Sequence, residues 1–294
     1  MHERTDIMEK IKDINRLNDV FFKSLLGDEA RKNLTLNFLN SILNRDEHNY
    51  FTDINFMDKQ QVPDINEGKA PELDILAKTN NGSLINIEIQ IASQKKFSKR
   101  ALYYWSRLYA YQLGKGHHYR ELKPTISINL LNFNHLPYKT YHNSYHIRND
   151  ETNDILIDDF EMHFIELEKF KFSDIKKMRN AENWIAYFSP QCTDEEREVI
   201  AMNNPAIKEA LNYEMMFSQD EIKRRDYELQ EKAIRDYLSN MYDSKQEGIQ
   251  EGIQSERKTI AINLLKANMP IDFISQNTGL SEQEILHLQQ SLDK

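Results

Sequence analysis

The chain has 294 residues, 39% of them hydrophobic and 29% charged, which is enough apolar material for more than one average domain. Its single cysteine, Cys192, excludes an internal disulfide framework and a thiolate zinc cluster and fits a reducing cytoplasm. No apolar run approaches the ~18 residues of a membrane span, so no membrane association is expected, and the net charge of -9 counts against a nucleic-acid partner for the chain taken as a whole.

From Asn18 to Asn44 the segment NDVFFKSLLGDEARKNLTLNFLNSILN places Leu34, Phe38, Leu39, Ile42 and Leu43 at helical spacings. Gly27 is expected to interrupt this helix, with Asp28 capping its second part. YFTDINFMDKQ alternates weakly and suggests a strand. ELDILAKT (72–79) and LINIEIQIA (84–92) then flank NNGS, whose Asn-Gly pair predicts an antiparallel hairpin.

The aromatic segment FSKRALYYWSRLYAYQL (97–113) predicts a helix closed by Gly114 and Gly116, and PTISINLLNF (124–133) a buried strand. Short strands are expected within 142–148 and 154–168. The order predicts an α/β fold with a mixed sheet flanked by helices. After about Lys176 nearly everything reads as helical, including a long charged run and the step EGIQEGIQ, whose Gly248 and Gly252 suggest strain, mobility or close helix packing. In the tail, Ser281 and Glu284 form a capping box within a helix-turn-helix-like spacing. Glu282 and Glu284 on its second helix would repel phosphate, so a packing or self-association module is expected there.

The hairpin carries the chemistry. Side chains alternate across a strand, so Glu88 and Gln90 share one face of LINIEIQIA and the isoleucines the other. Asp74 in the preceding strand comes near Glu88 and Gln90 through the turn alone. Two carboxylates and an amide are hard oxygen ligands suited to Mg²⁺ or Mn²⁺; the bland reading is a solvated sheet face. Between Gln94 and Lys123 stand Lys95, Lys96, Lys99, Arg100, Arg107, Lys115, Arg120 and Lys123 against Glu121 alone, so phosphate contacts are expected here despite the acidic total. Of the helix's aromatics most are expected in the core, with Tyr104 facing the site. His117, His118, His142 and His146 lack a metal-binding pattern and read as loop or surface residues, and Cys192 lies in an acidic turn that disfavours a thiolate.

ELDILA, IEIQ, the basic aromatic helix and the strand after it resemble the recombination-promoting nuclease/putative transposase family of the PD-(D/E)XK nuclease superfamily. The resemblance implies a restriction-endonuclease-like core, expected over residues 1–175, and the residues themselves read as an all-helical region over 176–294 with a long charged helix and a three-helix tail. It implies a divalent-metal-dependent DNA endonuclease linked to recombination, transposition or mobile-element defence in a bacterium. Asp74 and Glu88 would bind the metal, Gln90 would position the water, and Lys95, Lys99, Arg100, Tyr104 and Arg107 would line the DNA.

Two features depart from the superfamily pattern: Pro71 stands three residues ahead of the first acid, and Gln90 occupies the place of the usual lysine. A charged helper is then expected from Lys95, Lys99 or Arg100, and an upstream acid from Asp19 or Glu29. The competing reading is a non-catalytic member of this fold that binds nucleic acid or protein. A homodimer through the C-terminal helices is a further expectation.

Overall fold

The structure is a computed structural model and describes residues 14–58, 74–93, 96–114, 116–172 and 174–292. Lys95, Lys115 and Pro71 lie outside the described residues. The chain divides into two units, Met1–Glu231 and Lys232–Lys294.

The first unit opens with helix α1 (Asp19–Leu26), whose N-terminus is capped by Asn18 accepting from the amides of Val20 and Phe21. Gly27 ends it, and Asp28 caps a short 3₁₀ turn leading into α2 (Lys32–Ile42). A Cβ at position 27 would stand 2.7 Å from the Lys23 carbonyl oxygen and 3.4 Å from Ile75, so glycine lets the end of α1 lie against the sheet.

Six strands form one sheet: β1 (Ile54–Phe56), β2 (Ile75–Thr79), β3 (Leu84–Gln90), β4 (Thr125–Leu131), β5 (His142–Tyr145) and β6 (Phe160–Glu166), in the order β1-β2-β3-β4-β6-β5. β1, β2 and β3 pair antiparallel, β4 lies parallel to β3 and β6, and β5 closes the edge antiparallel to β6. Gly82, at a φ of 89° in the NNGS turn, takes the left-handed conformation that the hairpin requires. A parallel step needs a crossover, and α3 (Phe97–Tyr111) lies within the one between β3 and β4.

The two sheet faces differ in chemistry. Ile85, Ile87, Ile89, Ile126 and Ile128 bury one face in the main core with Phe21, Phe22, Leu25, Phe38, Trp184 and Phe188. The last two come from α4 (Asn180–Phe188), which is followed by α5 (Asp194–Asn203) and α6 (Pro205–Gln219). Ile207, Ala210, Tyr213 and Phe217 of α6 join the same core, so the change of character near residue 175 marks a switch of secondary structure inside the first unit.

On the other face Asn86 stands beside Ser127 and Glu88 beside Asn129 in parallel register. α3 packs on this side: Tyr104 and Leu108 contact Leu76, while Phe97 and Ala101 contact Leu131 and Phe164. The Trp105 indole donates to the Thr125 carbonyl at 2.6 Å and the Tyr109 hydroxyl to Asp159 at 2.6 Å, which fixes the far half of the helix. The solvated-face reading of the hairpin is therefore corrected: Asp74 and Glu88 are each only 5% exposed.

Helix α7 (Glu221–Lys266) belongs to both units. In the second unit Ala261 of α7, Ile274 of α8 (Ile271–Thr278), Leu280 and Ile285 of α9 (Glu282–Leu292) form a small core. The Ser281–Glu284 box closes as expected, with the Ser281 amide donating to Glu284 at 2.8 Å and the Glu284 amide to Ser281 at 3.3 Å. A Cβ on Gly248 or Gly252 would meet nothing within 4 Å among the described residues of this chain.

Candidate active site

Local strand geometry brings the first two acids together. Ile75 pairs with Ile87, and the register carried one residue further sets Asp74 opposite Glu88, on the face that α3 covers. Asp74 Oδ2 accepts the Ile89 amide at 2.7 Å, which locks its carboxylate across the hairpin. Glu88 Oε1 accepts from Asn86 Nδ2 at 3.1 Å. Asn86 Oδ1 is buried without a hydrogen-bond partner among the described residues, an acceptor left over beside the acids.

A third acid arrives from α1. Lys23 Nζ lies 3.1 Å from Asp74 Oδ1 and 3.5 Å from Asp19 Oδ2, so one ammonium ties the helix to the hairpin. Of the two upstream acids, Asp19 is the one that stands near the pair. Asp19 acts electrostatically on Asp74, whereas Glu29 is exposed and accepts from the Phe56 amide at 3.4 Å.

The crowding shows in the titration of the pair. Burial, with the Asp19 carboxylate adding to it, pushes Asp74 up from 3.8 to about 6, against the pull of Lys23 and the Ile89 amide. Burial and the Asp74 carboxylate push Glu88 up from 4.5 to about 8, although Asn86, Arg100 and Lys23 favour its charged form. Two desolvated acids that resist ionising together form a site that gains from added positive charge.

This donor chemistry fits a divalent cation. Asp74 and Glu88 present hard oxygens, and Mg²⁺ commonly takes one or two carboxylates and completes its shell with water and substrate phosphate. Among the described residues no three His, Cys, Asp or Glu side chains form a ready-made metal cage.

The cationic side of the site is α3. Arg100 acts on Glu88 and on the Tyr104 hydroxyl; Tyr104 is buried with its hydroxyl pushed up by burial. Arg100, Tyr104 and Arg107 recur at four- and three-residue steps along one stripe, with Arg107 half-buried about 10 Å from Arg100 along the axis. Lys99 is exposed on the next stripe. Gln90, half-buried at the end of β3, shares the face of Glu88. Sequence reasoning passed over Lys23 and Asn86; the signal available for Lys23 was its i,i+4 spacing from Asp19.

The other expectations divide. His117 is exposed and pairs with Glu121 at 3.1 Å, as a loop residue should. His142 is corrected: it lies on β5 with its Nε2 2.9 Å from His163 Nδ1, and burial followed by His163 lowers it to about 4. Burial raises the Cys192 thiol to about 11, in keeping with an inert cysteine.

A mixed sheet whose hairpin sets two buried acids beneath a cationic helix defines a nuclease-like α/β fold. The sequence matches the family model of the PD-(D/E)XK nuclease family transposases over residues 16–244, and the chain belongs to that family. Searches against curated proteins and against solved structures return no match. Among the described residues no helix is long and apolar enough to cross a membrane.

Proposed function

We propose that the protein is a divalent-metal-dependent endonuclease that hydrolyses DNA phosphodiester bonds, in a cytoplasmic setting of recombination, transposition or mobile-element defence. The observation that carries this reading is the Asp74–Glu88 pair, opposed on one hairpin and buried, with both carboxyls pushed upward by burial first and then by a neighbouring carboxylate, in a chain of a nuclease family. A Mg²⁺ or Mn²⁺ ion held by these carboxylates would acidify a water and offset charge developing on the phosphodiester.

The chain's own groups have distinct tasks in this reading. The Ile89 amide and Asn86 fix the two carboxylates, and Gln90 orients the attacking water by hydrogen bonding. Arg100 and Arg107 face phosphates from α3, Tyr104 packs beside the pair, and Lys99 contacts the flanking backbone. The water gives up a proton to solvent as its oxygen bonds to phosphorus, the bond to the leaving oxygen breaks, and that oxygen takes up a proton from solvent. Low sequence preference is expected, because the second helix of the tail carries Glu282 and Glu284 in its first turn, which repel phosphate, and neither lysine nor arginine between Glu282 and Leu292.

Incubating the purified protein with a labelled DNA duplex, with and without Mg²⁺ or Mn²⁺, beside Asp74→Asn, tests this. Cleavage that needs both the metal and the carboxylate is expected. Gln90 in the place of a lysine favours the alternative of a binding module, and a metal-independent gel shift with no cleavage would establish it. Cutting both strands would be served by a homodimer through α7, and a monomer by sedimentation at working concentration would end that proposal.

A further inference from the structure

The site as built from its hairpin lacks a positive charge where the superfamily pattern has one. Gln90 can orient a water but cannot offset the negative charge that accumulates on phosphate oxygens as the nucleophile adds. Three basic residues are expected as replacements, and two of them lie among the described residues. Lys95 is outside the described residues, Lys99 points along an exposed stripe of α3, and Arg100 acts on Glu88 from that helix.

Lys23 meets the acid pair from the opposite side. Its ammonium is 3.1 Å from Asp74 Oδ1, the one oxygen of that carboxylate not tied to the Ile89 amide. It also acts on Glu88. Its side chain is 28% exposed where that of Asp74 is 3%, so the charge stands at the lip of the site and the carboxylates lie beneath it.

The placement is fixed by folding. Phe21, Phe22, Leu25 and Leu26 bury α1 in the main core. Asn18 caps the helix and also donates from its Nδ2 to Glu231 at 2.9 Å. Gly27 lets the helix end reach Ile75, one residue from Asp74. The Lys23 ammonium is partly exposed and shared between two acids.

We propose that Lys23, reaching over from α1, supplies the phosphate-facing positive charge that position 90 lacks. The inference rests on the nuclease reading of the same site. Lys23 keeps its protons throughout: it donates an N–H to a non-bridging phosphate oxygen, and no bond to it forms or breaks. The contact strengthens as charge builds on that oxygen, so its effect falls on kcat more than on KM.

The test has two arms. In metal-free protein, DNA affinity of wild type and Lys23→Met is measured against salt concentration. Loss of one phosphate contact lowers the log–log slope by about 0.9. A counter-ion that touches no phosphate leaves the slope unchanged, and that result overturns the proposal even if the wild type proves inactive.

In the second arm, Mg²⁺-supported cleavage is compared for wild type, Lys23→Met, and Lys23→Met with Gln90→Lys. The single variant should lose about 100-fold or more in kcat at similar KM, the scale of one lost electrostatic donor. Returning a lysine to position 90 should restore at least tenfold. Restoration separates charge from structure, since Gln90→Lys does not rebuild the bridge between α1 and Asp74. Full activity of Lys23→Met, or loss without restoration, refutes the role of Lys23 while leaving the nuclease assignment intact. Absence of wild-type cleavage defeats the assignment, and the salt arm then decides for Lys23 alone.

Discussion

Replacing Glu88 by glutamine should stabilise the metal-free protein in alkaline solution while removing one of the two carboxylates proposed to hold the metal. The Glu88 carboxyl titrates at about 8 in the fold against 4.5 ordinarily, so the folded state holds its proton more tightly than the unfolded chain. Its favourable contribution is therefore fully present below about 4.5 and is lost as pH rises to about 8, at ~1.4 kcal/mol per pH unit. Taken alone that interval amounts to about 5 kcal/mol. Asp74 shares the repulsion, and releasing either proton raises the cost of the other, so about 2–4 kcal/mol is expected for this one substitution. Both tryptophans, Trp105 and Trp184, lie in the first unit, so urea unfolding followed by their fluorescence in EDTA reads the stability of the site's own unit. Glu88→Gln should match wild type near pH 4.5 and exceed it at pH 8.5. A stability difference that is the same at both pH values, or a variant weaker at pH 8.5, would refute the reasoning.

Mg²⁺ or Mn²⁺ added at pH 8.5 should stabilise wild type and leave Glu88→Gln nearly unchanged, measured as the shift in urea midpoint. Glu214→Ala should cost about 3–5 kcal/mol, because it leaves the largely buried Arg16, which donates to Glu214 at 2.6 and 2.9 Å inside the first unit, with Asp194 at 3.5 Å as its remaining carboxylate; a loss under ~1 kcal/mol in urea unfolding would show the pair to be dispensable. Asn18→Ala removes the cap of α1 and the bond to Glu231, and should lower stability by about 1–2 kcal/mol. Lys99→Gln should weaken DNA binding and lower the salt slope by about 0.9, with kcat at saturating DNA unchanged; an unaltered slope removes Lys99 from the interface.

The hairpin and its acid pair were legible because they depend on neighbours in sequence. Asn-Gly between two alternating runs sets the turn, the turn sets the register, and the register sets Asp74 opposite Glu88. Tyr104 was legible for a similar reason, since helical spacing puts it on the stripe of Arg100. What remained hidden depends on packing across the core. Alternation shows that Glu88 has its own face but not that α3 covers that face, so burial of the pair and its upward titration could not be read. Lys23 and Asp74 are 51 residues apart and meet only after α1 settles on the isoleucine face. His142 misled for the same reason, because its partner His163 lies on the adjacent strand. The helices from Asn180 to Gln219 resemble a separate region in sequence, yet their buried faces complete the core of the sheet.

The central claim is that Asp74 and Glu88 together make a metal-dependent centre for phosphodiester hydrolysis. Conversion of supercoiled plasmid to nicked and linear forms at pH 7.5 or so, in EDTA and after restoring Mg²⁺, compared between wild type and Glu88→Gln, tests it most directly. Because that variant is expected to be at least as stable as wild type, its failure to cut cannot come from unfolding. The account predicts that wild type cuts only with the metal and that Glu88→Gln does not cut. Equal conversion by the two proteins, or wild-type cutting that persists in EDTA, would contradict it.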